Sequence, residues 1–162
     1  MDASAKAAHE IVVDAPPGEP TMTLTRMFEA PRELVWDCFT RAEHVARWWG
    51  PHKYTITVEE FDCRPGGKWR ISHCDAEKTV TFYGEYLEIE KPSRIVRTFR
   101  FAQFPPIEDT FEFHAEGPRR TRLVCRQRFP HVAARDWMAN TGVKEGGQQS
   151  FERLDALLAE LG

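Results

Sequence analysis

The sequence predicts an α+β fold in which a curved antiparallel sheet wraps around one long C-terminal helix. Three observations carry this prediction. Six segments between 54 and 129 alternate apolar and polar residues with period two and are joined by short turns, which favours an antiparallel meander. In two of them the alternation slips by one residue, the sign of a β-bulge that bends the strand. Residues 140–161 then place apolar side chains at three-to-four-residue steps, the period of a helix.

The elements follow in the order β-α-α-β6-α. Ile11-Val12-Val13 is a candidate short strand, ended by Pro16-Pro17-Gly18-Glu19-Pro20. Residues 1–20 read as an N-terminal extension, with Met1 to Ala8 disordered, ahead of one domain over 21–162. Met22 to Phe28 alternates and reads as a strand. Pro31 opens a helix to Thr40, because its missing N–H costs nothing at a first helical position. Leu34, Val35, Cys38 and Phe39 form the apolar face of that helix. A second short helix, Glu43 to Trp49, is stopped by Gly50-Pro51. Trp48 and Trp49 are adjacent and cannot both face one core, so one of them packs against a different element.

In the sheet, Tyr54 to Val58 alternates, and the phase slips across Glu59-Glu60 to Phe61 and Cys63. After the turn at Gly66-Gly67, Lys68 to His73 puts Trp69, Ile71 and His73 on one face. Thr79 to Ile89 puts Val80, Phe82, Gly84 and Tyr86 together until a second slip near Leu87. Ile95 to Phe101 aligns Ile95, Arg97, Phe99 and Phe101. Past the break at Pro105-Pro106, Asp109, Phe111 and Phe113 share a face, and Thr121 to Phe129 aligns Leu123, Cys125, Gln127 and Phe129. The last helix carries Val143, Gly147, Phe151, Leu154, Leu158 and Leu161 on one side. About 22 residues make a helix of roughly 33 Å, long enough to lie across the sheet. Gly142, Gly146 and Gly147 near its start cost about 1 kcal/mol each relative to alanine. Thin packing, flexibility or empty space is required there.

Composition excludes several functions. The chain has 162 residues, a net charge of −3 and interspersed signs, with no basic stripe of the kind that binds nucleic acid. No apolar run is long enough to span a bilayer, and Met1 to Glu10 has no hydrophobic signal core. Cys38, Cys63, Cys74 and Cys125 are scattered and read as reduced thiols, which makes the cytoplasm the expected compartment. Metal-ligand spacing is absent, so neither a metal nor another cofactor is expected. Ser72 beside His73 points to the opposite strand face, no G-x-S-x-G elbow exists, and Gly66-Gly67 lacks the pattern of a phosphate loop. No catalytic residue is assigned.

A resemblance adds to this reading. Thr25-Arg26, Ala30-Pro31-Arg32-Glu33-Leu34-Val35-Trp36, Trp48-Trp49-Gly50-Pro51, Asp62-Cys63-Arg64-Pro65-Gly66-Gly67-Lys68-Trp69, Gly84-Glu85-Tyr86, Thr121-Arg122-Leu123 and Glu145-Gly146 occur in this order. The chain resembles the SRPBCC or START-like superfamily with its Bet-v-type helix-grip fold. Within it, the chain is similar to the C-terminal-domain-like family of heat-shock protein 90 ATPase activator homologues. The resemblance implies a helix-grip fold with space between sheet and C-terminal helix. The family usually carries bulky aromatics at the positions of Val143 and Gly147 and apolar residues at those of Arg97 and Asp109. The small residues here enlarge that space, and Trp137 and Met138 are placed to refill part of it.

The expected function is binding of a small, mostly apolar ligand, lipid-like or aromatic, in a cavity between sheet and helix. Its candidate walls are Trp48, Trp69, Phe82, Phe99, Phe101, Phe111, Trp137, Val143 and Gly147, with plain core packing as the alternative role for the aromatics. The candidate polar groups are His73, Arg97, Asp109 and Gln127. Arg97 either binds an anionic end of the ligand or pairs internally with Asp109; both readings stay open. The glycines of the last helix would let its start shift for ligand access. Two other classes compete: a polyketide cyclase or aromatase, with His73 as acid–base, and a co-chaperone that stimulates a chaperone ATPase. The eukaryotic activators carry an additional N-terminal domain that this chain lacks, which ranks stimulation lower. A small molecule is therefore the expected partner, with no nucleic acid and no membrane insertion; a homodimer and a chaperone partner remain open.

Overall fold

The computed structural model describes residues 9–162. The expected disorder of Met1 to Ala8 lies outside the described residues, as does the side chain of Val143. Among the described residues, eight antiparallel strands form one open, curved sheet, and four helices pack with it. The strands are β1 (Val12–Asp14), β2 (Thr21–Phe28), β3 (Thr55–Phe61), β4 (Lys68–Cys74), β5 (Thr79–Glu90), β6 (Arg94–Phe101), β7 (Ile107–Ala115) and β8 (Thr121–Arg128). The helices are α1 (Arg32–Thr40), α2 (Ala42–Trp48), α3 (Val132–Ala139) and α4 (Val143–Leu161). The sheet order is β1-β2-β8-β7-β6-β5-β4-β3, so β3 to β8 form the expected meander and β2 closes onto its last strand.

Both phase slips are bulges. The β3–β4 register shifts between Val58 and Glu60, and the β5–β6 register shifts between Tyr86 and Glu88. The extra residue in each raises the local twist and curves the sheet toward the helices. Strand β1 pairs with β2 and brings Ile11, 1% exposed, into the interior.

Helix α1 begins one residue later than the sequence suggests. Pro31 is extended, with ψ 147°, and its carbonyl accepts from the amides of Leu34 and Val35. The expected helix over 140–161 is present as α4, three residues shorter at its start, and a further helix, α3, precedes it. His131 caps α3 by accepting from the Ala134 amide. Gly142 is left-handed at φ 80°, a conformation that glycine adopts without strain, and it separates α3 from α4. Helix α4 therefore has 19 residues and spans roughly 28 Å.

The core lies between the inner face of the sheet and α1 and α4. Trp36 and Phe39 of α1 meet Phe113 of β7 edge-on, at 5.3 and 5.1 Å between centroids. Leu154, Leu157 and Leu158 of α4 are fully buried at helical spacing. Arg26 of β2 fixes the rotation of α4 by a bidentate pair with Asp155, at 2.7 and 2.6 Å. Among the described residues no helix is long and apolar enough to cross a membrane.

Candidate functional site

Four polar residues form one row across the inner face. Tyr86 on β5 stands opposite Arg97 on β6, Arg97 opposite Asp109 on β7, and Asp109 opposite Gln127 on β8. Directly opposed residues of antiparallel strands project to the same side, so register alone assembles a phenol, a guanidinium, a carboxylate and a carboxamide. Arg97 Nε lies 3.9 Å from Asp109 Oδ2, and Gln127 Nε2 donates to Asp109 Oδ1 at 3.3 Å. The guanidinium sits 4.1 Å over the Trp69 ring and 5.0 Å from that of Phe111, a cation–π arrangement that favours the charge despite its burial.

Above this row, between the sheet and the first turns of α4, lies a pocket of about 280 Å³. That is close to the lower end of the range of small-molecule sites, about 300–1,000 Å³. Arg97, Asp109, Gln127, Phe82 and Phe111 line it from the sheet. Trp48, Trp49, Gly50 and Pro51 line it from the end of α2, and Gly146, Gly147 and Phe151 from α4. Ser150 clamps these two walls together. Its hydroxyl donates to the Trp48 carbonyl and accepts from the Gly50 amide, each at 3.0 Å. Gln148 ties α4 to the segment before β1 by accepting from the Ile11 amide and donating to the His9 carbonyl.

Gly147 opens the space at this end. A Cβ there would stand 3.1 Å from Ile11 Cδ1, so any side chain would enter the gap between α4 and the Ile11 segment. The double tryptophan divides as the sequence requires. Trp48 packs against Phe39 and Phe151, whereas Trp49 turns to Phe82 and His73 of the sheet. His73 is stacked on Tyr54 at 4.2 Å and meets Phe82 edge-on.

Of the candidate residues, Trp48, His73, Phe82, Arg97, Asp109, Phe111, Gln127 and Gly147 border the pocket. Trp69, Phe99, Phe101 and Trp137 do not. Trp69 is one layer deeper, 1% exposed, with its indole donating to the Thr98 carbonyl at 3.1 Å. Gly84 makes room for it, since a Cβ there would lie 2.8 Å from the indole nitrogen and 2.0 Å from the Thr98 oxygen. Phe99 fills the space between Trp69 and Phe82, and Phe101 stacks on Phe104. Trp137 belongs to the separate helix α3, is 52% exposed and leans on Phe104, so it does not refill the space near Gly147. Met138 of the same helix is buried in the core.

Trp49, Phe151, Gly146 and Ile11 are among the pocket residues that sequence reasoning missed. Phe151 and Gly146 flank Gly147 on its helix and were legible from that spacing; Ile11 arrives from the other end of the chain with no local signal.

Burial sets the charge states of the site. It pushes the Asp109 carboxyl up to about 6, against the pull of Arg97 and of the Gln127 hydrogen bond. It pushes the Tyr86 phenol up to about 12. Burial, followed by Lys78, holds the His73 imidazole below its usual range, while Asp75 opposes them. Cys125, which also borders the pocket, is driven well above its usual value by burial and by Asp109. Cys38 is pushed to about 11. Maleimide labelling of the native protein is therefore expected at the half-buried Cys63 and Cys74 first, with Cys38 and Cys125 protected until unfolding. Peptide mass spectrometry reads the order; Cys125 labelling as fast as Cys74 would contradict this burial. Ser72 stands on the other face, bonded to Glu59 and Thr81. Among the described residues no group of three His, Cys, Asp or Glu is placed to hold a metal.

Comparisons with known proteins agree with this architecture. Residues 29–159 match the family model described as Activator of Hsp90 ATPase homolog 1-like protein. No curated protein matches the chain. Among solved structures, a crystal structure of a protein from Rhodobacter sphaeroides is similar with a TM-score of 0.87 and 21% identity, over 93% of this chain and 99% of that one. A protein from Chromobacterium violaceum is similar at 27% identity and a TM-score of 0.74, over 85% and 96% of the two chains. An AHSA1 protein from Silicibacter pomeroyi is similar at 19% identity and a TM-score of 0.73, over 88% and 99%. The first and third likenesses carry the fold alone.

Proposed function

As a member of the Activator of Hsp90 ATPase homolog 1-like family, to which the chain belongs, this protein, we propose, binds a small, mostly apolar molecule between its sheet and α4. The observation that carries this reading is the pocket itself: walls of aromatic and aliphatic side chains around one buried polar row centred on Arg97. Such a site draws affinity from apolar burial, at about 25 cal/mol per Å², and orientation from its few polar groups. The polar end of the ligand lies against Arg97 and Asp109, and its apolar body against Phe82, Phe111, Trp48 and Trp49.

The fold is equally compatible with a cyclase-like enzyme and with a co-chaperone. The pocket chemistry favours binding, because its charged groups, Arg97 and Asp109, stand beside each other and leave His73 among aromatic rings. Native mass spectrometry of the purified protein is expected to show a retained small molecule that leaves on denaturation. Titration with fatty alcohols, fatty acids and aromatic acids is expected to change tryptophan emission, since Trp48 and Trp49 border the pocket. A protein with no bound mass and no response to any of the three classes is not a binder of this kind.

A further inference from the structure

Building on the binding reading above, we infer that the polar end this pocket accepts is uncharged and both donates and accepts a hydrogen bond, as a hydroxyl or a primary amide does, and that it sits between Arg97 and Asp109. The pair is incomplete without it. Arg97 Nε and Asp109 Oδ2 are 3.9 Å apart, beyond hydrogen-bond reach. Arg97 is 9% exposed and Asp109 3%, so bulk water does not solvate them. Among the described residues Arg97 Nε has no hydrogen-bond partner, and Asp109 accepts from the Gln127 amide at a long 3.3 Å. An ionised carboxylate in such a place has unused acceptor capacity, and a guanidinium has unused donors.

A single hydroxyl oxygen satisfies both. It accepts from the guanidinium and donates to the carboxylate, and the charges around it sum to zero. A ligand carboxylate does neither well. It only accepts, so Asp109 keeps its deficit, and it brings a second negative charge to the same floor. Among the described residues nothing else at the floor offsets that charge. Arg97 comes from β6 and Asp109 from β7; from β8 come the Cys125 thiol and the Gln127 amide, both neutral, and from β5 the neutral Tyr86 phenol. Burial lowers the proton affinity of His73 on β4 and so favours its neutral form. A ligand ether also accepts only, and leaves the carboxylate as it was.

Three probes with one apolar chain test this: 1-octanol, octanoate and octyl methyl ether, titrated at pH 7.5 into the full chain by calorimetry. A hydroxyl completes both the guanidinium and the carboxylate, whereas each of the others completes one, so 1-octanol is expected to bind about tenfold more tightly, or better, than either of the others. Asp109→Asn leaves Arg97 uncompensated and is expected to invert the order in favour of octanoate. Octanoate binding as tightly as 1-octanol to the wild type overturns the inference. Equal affinities for all three overturn it too, while leaving the binding reading intact. Failure of all three probes to bind overturns this inference, and the retained mass together with the aromatic-acid titration then decides the binding reading. If Asp109→Asn does not fold, the wild-type comparison decides alone.

Discussion

Arg97→Leu is expected to lower stability by about 3–5 kcal/mol at pH 8, and by much less at pH 5, while Arg97→Leu combined with Asp109→Leu returns at least to the wild-type value. The single change leaves the Asp109 carboxylate, 3% exposed, with the Gln127 amide as its one hydrogen-bond partner among the described residues. An uncompensated buried charge is among the costliest defects a core can carry. The double change removes both charges and fills the floor with carbon, which for buried pairs is often neutral or stabilising. The pH dependence follows from Asp109 itself. In the folded protein it holds its proton up to about pH 6, whereas an aspartate in the unfolded chain releases it near pH 4. Between those values the folded state binds more protons, so the Asp109 contribution to stability falls as pH rises through that window, by on the order of 3 kcal/mol. Without Arg97 the carboxyl is driven higher still, and the defect is largest where the wild type would be ionised. Urea denaturation of the wild type, both single variants and the double variant at pH 5 and pH 8 measures this. A double variant as unstable as Arg97→Leu would show that the pair stabilises the fold and is not a polar site held at a cost in stability.

That cost explains why the site was half legible in the sequence. Period-two alternation placed Arg97, Asp109 and Gln127 on inner strand faces, because a buried face leaves its imprint on every second residue. The slips at Glu59-Glu60 and near Leu87 were legible for the same reason, since a bulge shifts that imprint by one. Register was not legible. Whether Arg97 stands opposite Asp109 depends on where the turn between β6 and β7 closes, and alternation is unchanged when a strand slides by two. Helix α3 escaped because its start is set by the His131 cap and its end by the left-handed Gly142, both local backbone events with a weak apolar pattern between them. Trp137 was misplaced as a consequence. The family resemblance carried the helix-grip fold and the family itself, and both hold. It carried no information on Ile11, whose approach to Gly147 is a contact between the two ends of the described chain.

That contact is the basis of the sharpest functional test. Gly147→Leu is expected to weaken binding of 1-octanol by about a hundredfold or more while leaving the protein as stable as the wild type or more so. Gly147 has ordinary helical geometry, so a side chain meets no backbone strain there. Replacing a helical glycine recovers about 1 kcal/mol of helix propensity, and each buried methylene adds about 0.8 kcal/mol. Against this stands the 3.1 Å approach to Ile11 Cδ1, which is the far end of a flexible side chain and gives way by a few tenths of an ångström. The leucine carbons then occupy the space bordered by Phe151, Ile11 and Trp49, which the apolar body of a ligand would otherwise fill. Loss of function with a gain in stability is the signature of a residue kept small for a ligand, since damage to the fold moves both quantities down together. Thermal unfolding and calorimetric titration of the same preparation read the two effects. Undiminished affinity in a stabilised Gly147→Leu protein would place the ligand elsewhere on the molecule. Weaker binding in a destabilised one would reduce Gly147 to a packing residue.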